Sequence, residues 1–155
     1  MEIDIYLKNG RYTAMKRRYE TVLSEHLNTN RQMIFLSGPR QVGKTTTAKT
    51  CMDGAPYLNW DKETDQILFV DGADAIAKQL KLDSPAEAAS RVVFDELHRY
   101  PKWKSFLKGF YDVYGEECRI LVTGSARLDI FRSGSDSLMG RYFSYRMHPL
   151  SLAEI

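Results

Sequence analysis

One short run combines glycine, lysine and threonine at a spacing suited to binding phosphate. It is Gly38-Pro39-Arg40-Gln41-Val42-Gly43-Lys44-Thr45-Thr46, which contains the pattern G-x-x-x-x-G-K-[ST]. A glycine at each end lets the backbone curl so that successive N–H groups point inward at an anion. Lys44 adds a mobile positive charge for the β- and γ-phosphates of a nucleotide, and the Thr45 hydroxyl can bind Mg²⁺. The alternative interpretation is a surface turn that matches by chance.

A strand before this run and a helix after it are needed to shape such a loop. Residues 33–36 are apolar and of strand length, as in a strand buried on both faces. Residues 44–52 contain no helix breaker and are followed by Asp53-Gly54, which predicts a helix that starts inside the motif. The positive N-terminal end of that helix faces the same phosphates. This context favours nucleotide binding over a chance turn.

Strand and helix patterns alternate along the rest of the chain. An amphipathic helix is predicted from Met15 to about Asn28, after an arm or short strand in residues 1–14. Further strands are predicted at residues 57–60, 92–94, 120–122 and 142–147, and helices at 64–82 with a break at Gly72, at 101–115 and at 128–132. The alternation predicts a parallel sheet covered on both faces, with its ligand site at the carboxyl ends of the strands. The aromatic residues of the helix at 101–115 are expected in the core.

Two acidic side chains follow the strand predicted at residues 92–94. Asp95 is placed as in a Walker B motif, where the aspartate holds Mg²⁺, often through water. Glu96 is then placed to orient or deprotonate the attacking water. Acids also end strands simply because strands end at the surface. Beside a phosphate-binding loop we favour the functional roles.

Two hydroxyls and one arginine near strand ends are further candidates. Thr123 and Ser125 follow the fourth strand, where a hydroxyl can hold the nucleophilic water, sense the γ-phosphate, or simply cap the next helix. Arg141 precedes the fifth strand and can neutralise charge on the transferring phosphoryl group, within the chain or across a subunit contact. An ordinary salt bridge is an equally good interpretation of Arg141.

Together these motifs resemble those of a known family. The matching segments are residues 38–46, 93–103, 121–125, 137–141 and 149–154. They look like the AAA-type ATPase domain of a large group of prokaryotic predicted ATPases, and the resemblance extends from about Arg18 to the end. It implies an α/β fold, the three-layer P-loop NTPase core of the AAA+ superfamily, with central strand order 5-1-4-3-2. It also implies ATP and Mg²⁺ as ligands and the following site residues: Lys44, Thr45, Asp95 and Glu96 as above, Ser125 or Thr123 as sensor, and Arg141 as arginine finger.

Members of that group usually continue into a helical lid and a further C-terminal domain, whereas this sequence stops at Ile155. We therefore expect residues 1–155 to form a single P-loop ATPase core, with 15–155 as the core proper and lid contacts absent. The leading hypothesis is Mg²⁺-dependent ATP hydrolysis coupled to conformational change. The alternative is a nucleotide-regulated switch with little or no turnover. A small-molecule kinase is disfavoured because no arginine-rich phosphoacceptor lid is visible.

The composition limits the partners that we expect. A formal charge of +2 over 155 residues gives no general attraction to nucleic acid or membranes. A basic patch near the N-terminus is interpreted as a solvated helix face, with nucleic-acid contact as the weaker alternative; its members are Lys8, Arg11, Lys16, Arg17 and Arg18. No apolar run reaches membrane-spanning length, and two cysteines make no disulfide framework, so a cytoplasmic protein is expected.

The three histidines, His26, His98 and His148, have no spacing that suggests a metal cage, and we expect them to be structural. Beyond ATP, the sequence leaves two partners open. One is a second copy of the chain reached through Arg141, and the other is a protein target that the sequence does not identify.

Overall fold

The structure is a computed structural model that describes residues 5–8, 11–14, 17–82, 89–125 and 138–151. The strands described are β1 (Ile5–Lys8), β2 (Arg11–Ala14), β3 (Met33–Ser37), β4 (Tyr57–Asn59), β5 (Ser90–Asp95), β6 (Cys118–Thr123) and β7 (Tyr142–Arg146). The α-helices are α1 (Arg18–Thr29), α2 (Lys44–Cys51), α3 (Glu63–Asp71), α4 (Ala73–Leu80) and α5 (Trp103–Tyr114), and a 3₁₀ turn spans Leu97–Arg99. The helix predicted at residues 128–132 lies outside the described residues.

Five strands form one parallel sheet in the order β4-β5-β6-β3-β7. β3 is the first of these five along the chain, so the order is 5-1-4-3-2 when the strands are numbered from it, which confirms the expected fold. Ile34 of β3 lies opposite Leu121 on one side and Phe143 on the other. Because all five strands run the same way, their carboxyl ends meet at one edge of the sheet.

The sheet is the middle of three layers because β3 is apolar on both faces. Successive side chains of a strand point to opposite faces. Met33 and Phe35 pack into the cluster that contains the buried side chains of α5. Ile34 and Leu36 pack into the cluster on the other face, which includes residues of α1 and α2. An uninterrupted apolar strand is therefore what the covered sheet requires.

Helix α5 buries the aromatic stripe, as the sequence predicts. Trp103, Phe106 and Phe110 are buried, and the last two rings stack with centroids 5.9 Å apart. The helix begins two residues later than expected. The amide of Trp103 donates to the carbonyl of Tyr100, so Pro101 lies in a turn before the helix and not in its first turn. Among the helices that the structure describes, none is long and apolar enough to cross a membrane.

The N-terminal part contains a hairpin followed by α1. Of the two alternatives expected for residues 1–14, an arm or a short strand, the structure has a strand, β1, which pairs in antiparallel fashion with the unpredicted β2. An Asn-Gly pair between two short runs is a hairpin signal, so the second strand was within reach of sequence reasoning. Helix α1 buries Leu23 and Leu27 as expected, whereas Met15 lies outside the described residues.

Candidate functional site

The predicted phosphate loop connects β3 to α2, at the carboxyl edge of the sheet. Gly38 has φ +151°, and a Cβ at this position would lie 2.4 Å from the carbonyl oxygen of Met147, so no other residue fits without a shift of the backbone. Gly43 is the N-cap of α2, with φ +91°. Gln41 also has a left-handed backbone, with φ +62°. The loop therefore has positive φ at three positions and leads directly into α2, whose first amides have no partner within the helix.

Lys44 reaches back across the loop. Its Nζ donates to the carbonyl oxygens of Gly38 at 2.9 Å and Pro39 at 2.5 Å. Burial lowers the pKa of Lys44, and the carboxylates of Glu96 and Asp95 act in the opposite direction. The loop and the two acids therefore form one electrostatic site, although they are far apart in the sequence.

Asp95 ends β5 with both carboxylate oxygens bonded to hydroxyls from the flanking strands. Tyr57 of β4 donates to Oδ2 at 2.5 Å, and Thr123 of β6, which is opposite Asp95 in the strand register, donates to Oδ1. Burial, followed by the hydrogen bond to Asp95, raises the pKa of Tyr57, while the hydroxyls of Thr45 and Thr123 lower it. Tyr57 was missed by the sequence analysis, and Thr123 was expected to contact water, phosphate or a helix end. Here Thr123 is buried and orients Asp95.

Glu96 follows in a strained conformation, with φ +53° and its amide bonded to the carbonyl of Thr123 at 3.1 Å. The half-buried carboxylate loses hydration, and this burial raises the pKa of Glu96, with further contributions from Asp95 and Asp61. Lys44 and Arg99 act in the opposite direction. A carboxylate with a raised pKa is a stronger proton acceptor than a free one.

His98 joins Glu96 to Ser125. Its Nε2 lies 3.2 Å from Oγ of Ser125 and 3.6 Å from Oε2 of Glu96. A structural role, expected for all three histidines, fits His26, a buried residue that bonds to the hydroxyl of Tyr145. His98 differs in position, because it lies within the candidate site. Its position two residues after Glu96 in the acidic motif was the available signal.

The structure does not bring Arg141 to this site. Arg141 directly precedes β7, and its carbonyl accepts from the amide of Met33 at the start of β3, whereas the loop follows the end of β3. The guanidinium forms a paired contact with Asp112, with Nε–Oδ1 at 2.6 Å and Nη2–Oδ2 at 3.0 Å. This contact lowers the pKa of Asp112. The expectation that Arg141 acts within its own chain is therefore wrong, because the arginine lies at the opposite edge of the sheet.

The residues of the predicted basic patch do not share one environment in the structure. Arg17 is only 8% exposed, and its guanidinium donates to the carbonyl of Val42 in the loop and to that of His148, both at 2.7 Å. Neither a solvated face nor a nucleic-acid contact describes this residue. Arg18 is exposed, and the side chains of Lys8, Arg11 and Lys16 lie outside the described residues. Within the loop, three further candidates are exposed, namely Arg40, Gln41 and Thr46.

Solved structures share this architecture. The C. elegans PCH-2 structure has a TM-score of 0.64 at 14% identity, covering 90% of this chain and 44% of that one. The Walker-type ATPase of Pyrococcus abyssi has a TM-score of 0.56 at 15% identity, covering 90% of this chain and 55% of that one. At such identities the likeness shows the fold alone.

Sequence comparison bears on the family. Uncharacterized proteins of Mycobacterium tuberculosis and Mycobacterium bovis are each 28% identical to this chain over 123 residues. These matches cover 79% of this chain but 26% of each relative, so the chain spans about a quarter of their length. The AAA domain family matches residues 30–155, which include the loop, the acidic motif and all five strands of the parallel sheet. The chain therefore belongs to the AAA domain family, as a P-loop NTPase domain.

Proposed function

We propose that this domain binds ATP with Mg²⁺ and hydrolyses it, and that the reaction is coupled to a conformational change. The observation that carries the proposal is that the loop after β3 and the acids Asp95 and Glu96 at the end of β5 lie at the same carboxyl edge of one parallel sheet. A phosphate loop and a pair of acids at one sheet edge are the parts that phosphoryl transfer to water requires. The family match supports ATP as the nucleotide.

The loop is proposed to hold the phosphates. The exposed N-terminal amides of α2 and the positive end of the helix favour an anion there. Lys44 would exchange the carbonyls of Gly38 and Pro39 for phosphate oxygens, since its three N–H donors can rotate toward a stronger acceptor. The remaining loop positions that we assign to nucleotide contact are Arg40, Gln41, Val42, Gly43 and Thr46.

Thr45 and Asp95 are the candidate Mg²⁺ ligands, and their surroundings fit that ion. Mg²⁺ prefers hard oxygen ligands and keeps several waters. The two hydrogen bonds to Asp95 use only part of its acceptor capacity, because a carboxylate has about four lone-pair sites. Thr45 and Asp95 both act on the phenol of Tyr57, which supports their proximity. Bound Mg²⁺ would neutralise charge on the phosphates.

Glu96 is proposed as the general base. Its raised pKa suits proton acceptance from water, and the contact with His98 orients the carboxylate. Ser125 contacts the same imidazole nitrogen as Glu96, and we assign it the role of reporting the state of the phosphate to Glu96. Thr123 contributes by holding Asp95.

A switch with little turnover is the second candidate, and the position of Arg141 favours it for an isolated chain. Because Arg141 lies at the far edge of the sheet, it cannot neutralise charge in its own site. It would have to act on a second copy of the chain. Turnover would then depend on assembly.

The test is phosphate release from MgATP over a wide range of protein concentration, with Lys44→Ala as the blank. The hydrolase predicts release that falls at least roughly 100-fold in Glu96→Gln, while ATP binding persists. ATP binding without release, in wild type and Glu96→Gln alike, would identify the switch. Failure of the wild-type protein to bind MgATP or MgADP would contradict both.

A further inference from the structure

Arg17 binds a backbone carbonyl of the phosphate loop. It immediately precedes α1, and its planar guanidinium uses two branches to reach two carbonyls that are distant in sequence. Nη1 donates to Val42 and Nη2 donates to His148, each at 2.7 Å. With only 8% of the residue exposed, the charge is largely removed from solvent. A permanently charged group held in this way is available to act on the loop.

The carbonyl that Arg17 holds belongs to the peptide bond that carries the Gly43 amide. In a planar trans peptide the C=O and the N–H point in opposite directions. Fixing the Val42 carbonyl toward Arg17 therefore fixes the Gly43 N–H toward the other side. Gly43 is the N-cap of α2, where amides are left for an external acceptor. We propose that Arg17 is a positioning residue that aims the Gly43 amide at the bound phosphate.

The charge of Arg17 acts in the same direction as this orientation. Nη1 lies 3.5 Å from the position that a Cβ on Gly43 would occupy. A cation so close to the loop favours an anion on its far side, and a hydrogen bond to the carbonyl polarises the amide of the same peptide. Lysine would keep the charge but lose the fork that binds both carbonyls at once.

The second branch of Arg17 connects the loop to the chain that leaves the sheet. His148 follows Met147, whose amide donates to Ser37 at 2.7 Å and whose carbonyl faces Gly38 closely enough to exclude a side chain. The segment after β7 therefore contacts both ends of the loop. Arg17 therefore joins the peptide that carries the Gly43 amide to the segment that follows β7. This inference rests on the proposed nucleotide binding. It adds Arg17 as the residue that links the nucleotide-binding loop to the segment after β7.

The sequence permits a direct test. Valine precedes glycine once in the chain, at Val42-Gly43. Labelling valine with ¹³C at the carbonyl and glycine with ¹⁵N therefore gives one carbonyl–amide NMR correlation, from the peptide that Arg17 holds. Its carbon reports the hydrogen bond from Arg17, and its amide reports phosphate. The protein is titrated with MgADP as wild type, Arg17→Lys, Arg17→Met and the neighbouring control Arg18→Met.

We expect the free Arg17→Lys protein to show a shifted Val42 carbonyl signal and to bind MgADP roughly tenfold more weakly, with a smaller change at the Gly43 amide. Arg17→Met should bind more weakly still, and Arg18→Met should match wild type. If Arg17→Met does not fold, Arg17→Lys decides, because it keeps the charge and most of the stem.

Two results would overturn the inference while leaving the proposed function intact. One is an unchanged Val42 carbonyl signal in Arg17→Lys together with wild-type affinity. The other is a shifted carbonyl signal with wild-type affinity, since Arg17 would then hold the peptide without aiding phosphate. If instead the wild-type protein does not bind MgADP, the proposed nucleotide binding itself is wrong.

Discussion

Nε2 of His98 lies 3.2 Å from the hydroxyl of Ser125 and 3.6 Å from a carboxylate oxygen of Glu96. Ser125 follows β6 and Glu96 follows β5, which are neighbours in the sheet. One imidazole therefore joins the ends of two neighbouring strands within the candidate site.

We expect His98→Gln to lower kcat for ATP hydrolysis about tenfold and to change KM less than twofold. The reason is that His98 contacts the proposed base and not the phosphate loop. Steady-state kinetics of phosphate release measure both constants. His26→Gln is the matched control, because His26 is buried away from the site against Tyr145 and Gln32 and should affect stability alone. Equal kcat values in the two folded variants would refute the positioning role of His98.

Glu96 should lower the stability of the folded chain at neutral pH. Because burial raises the pKa of Glu96, the folded chain binds a proton at this carboxylate more tightly than the unfolded chain does. Its contribution to the free energy of unfolding is therefore greatest below the ordinary glutamate pKa and falls as the pH rises through the raised value. Glu96→Gln should increase that free energy by less than about 1 kcal/mol at pH 7 and leave it unchanged below about pH 4.

Urea unfolding at the two pH values measures this difference. The exposed Glu117→Gln variant controls for the loss of one negative charge elsewhere on the chain. A stabilisation by Glu96→Gln that persists in acid would mean that the desolvated charge is not its cause.

Tyr57→Phe should weaken the apparent affinity for Mg²⁺ about tenfold, with little change in the affinity for metal-free nucleotide. Tyr57 orients the carboxylate of Asp95, and partners that orient a metal ligand typically affect metal binding by this amount. Titration of ATP hydrolysis with Mg²⁺ provides the measurement. Tyr114→Phe is a close control, since it removes a tyrosine–aspartate hydrogen bond to Asp74, outside the candidate site. A Mg²⁺ dependence shared by both variants would exclude a role for Tyr57 at the metal.

Arg141→Ala should leave nucleotide binding by dilute protein unchanged, because Arg141 lies at the amino edge of the sheet. If the arginine acts on a second copy, turnover per molecule at high protein concentration should fall at least roughly 100-fold. Asp112→Ala breaks the same salt bridge but keeps the arginine, so it should retain concentration-dependent turnover. Loss of turnover in both variants would indicate a structural effect of the pair.

The fold and the loop were predictable because their signals are local. The apolar strand β3, both glycines and the lysine of the loop lie within one short stretch of sequence. Asp95 and Glu96 likewise lie at the end of the strand that positions them. The contacts of Arg17 were not predictable, since they join positions 25 and 131 residues apart. Tyr57 reaches Asp95 over 38 positions, which the sheet order implies only once the register is known. Arg141 precedes a strand, and the motif alone did not show that parallel strands put that end away from the loop.

The position of β3 in the middle of the sheet has a consequence for synthesis of the chain. Ile34 pairs with Leu121 and Met33 pairs with Tyr142, so both neighbours of β3 are made long after β3 itself leaves the ribosome. Until then its apolar residues and backbone hydrogen-bonding groups lack their native partners. The loop motif is translated early, but β3, which supports it, gains its second neighbour only after residues 142–146 have been made. During that interval β3 is an apolar strand without its native neighbours, the kind of segment that chaperones shield from aggregation.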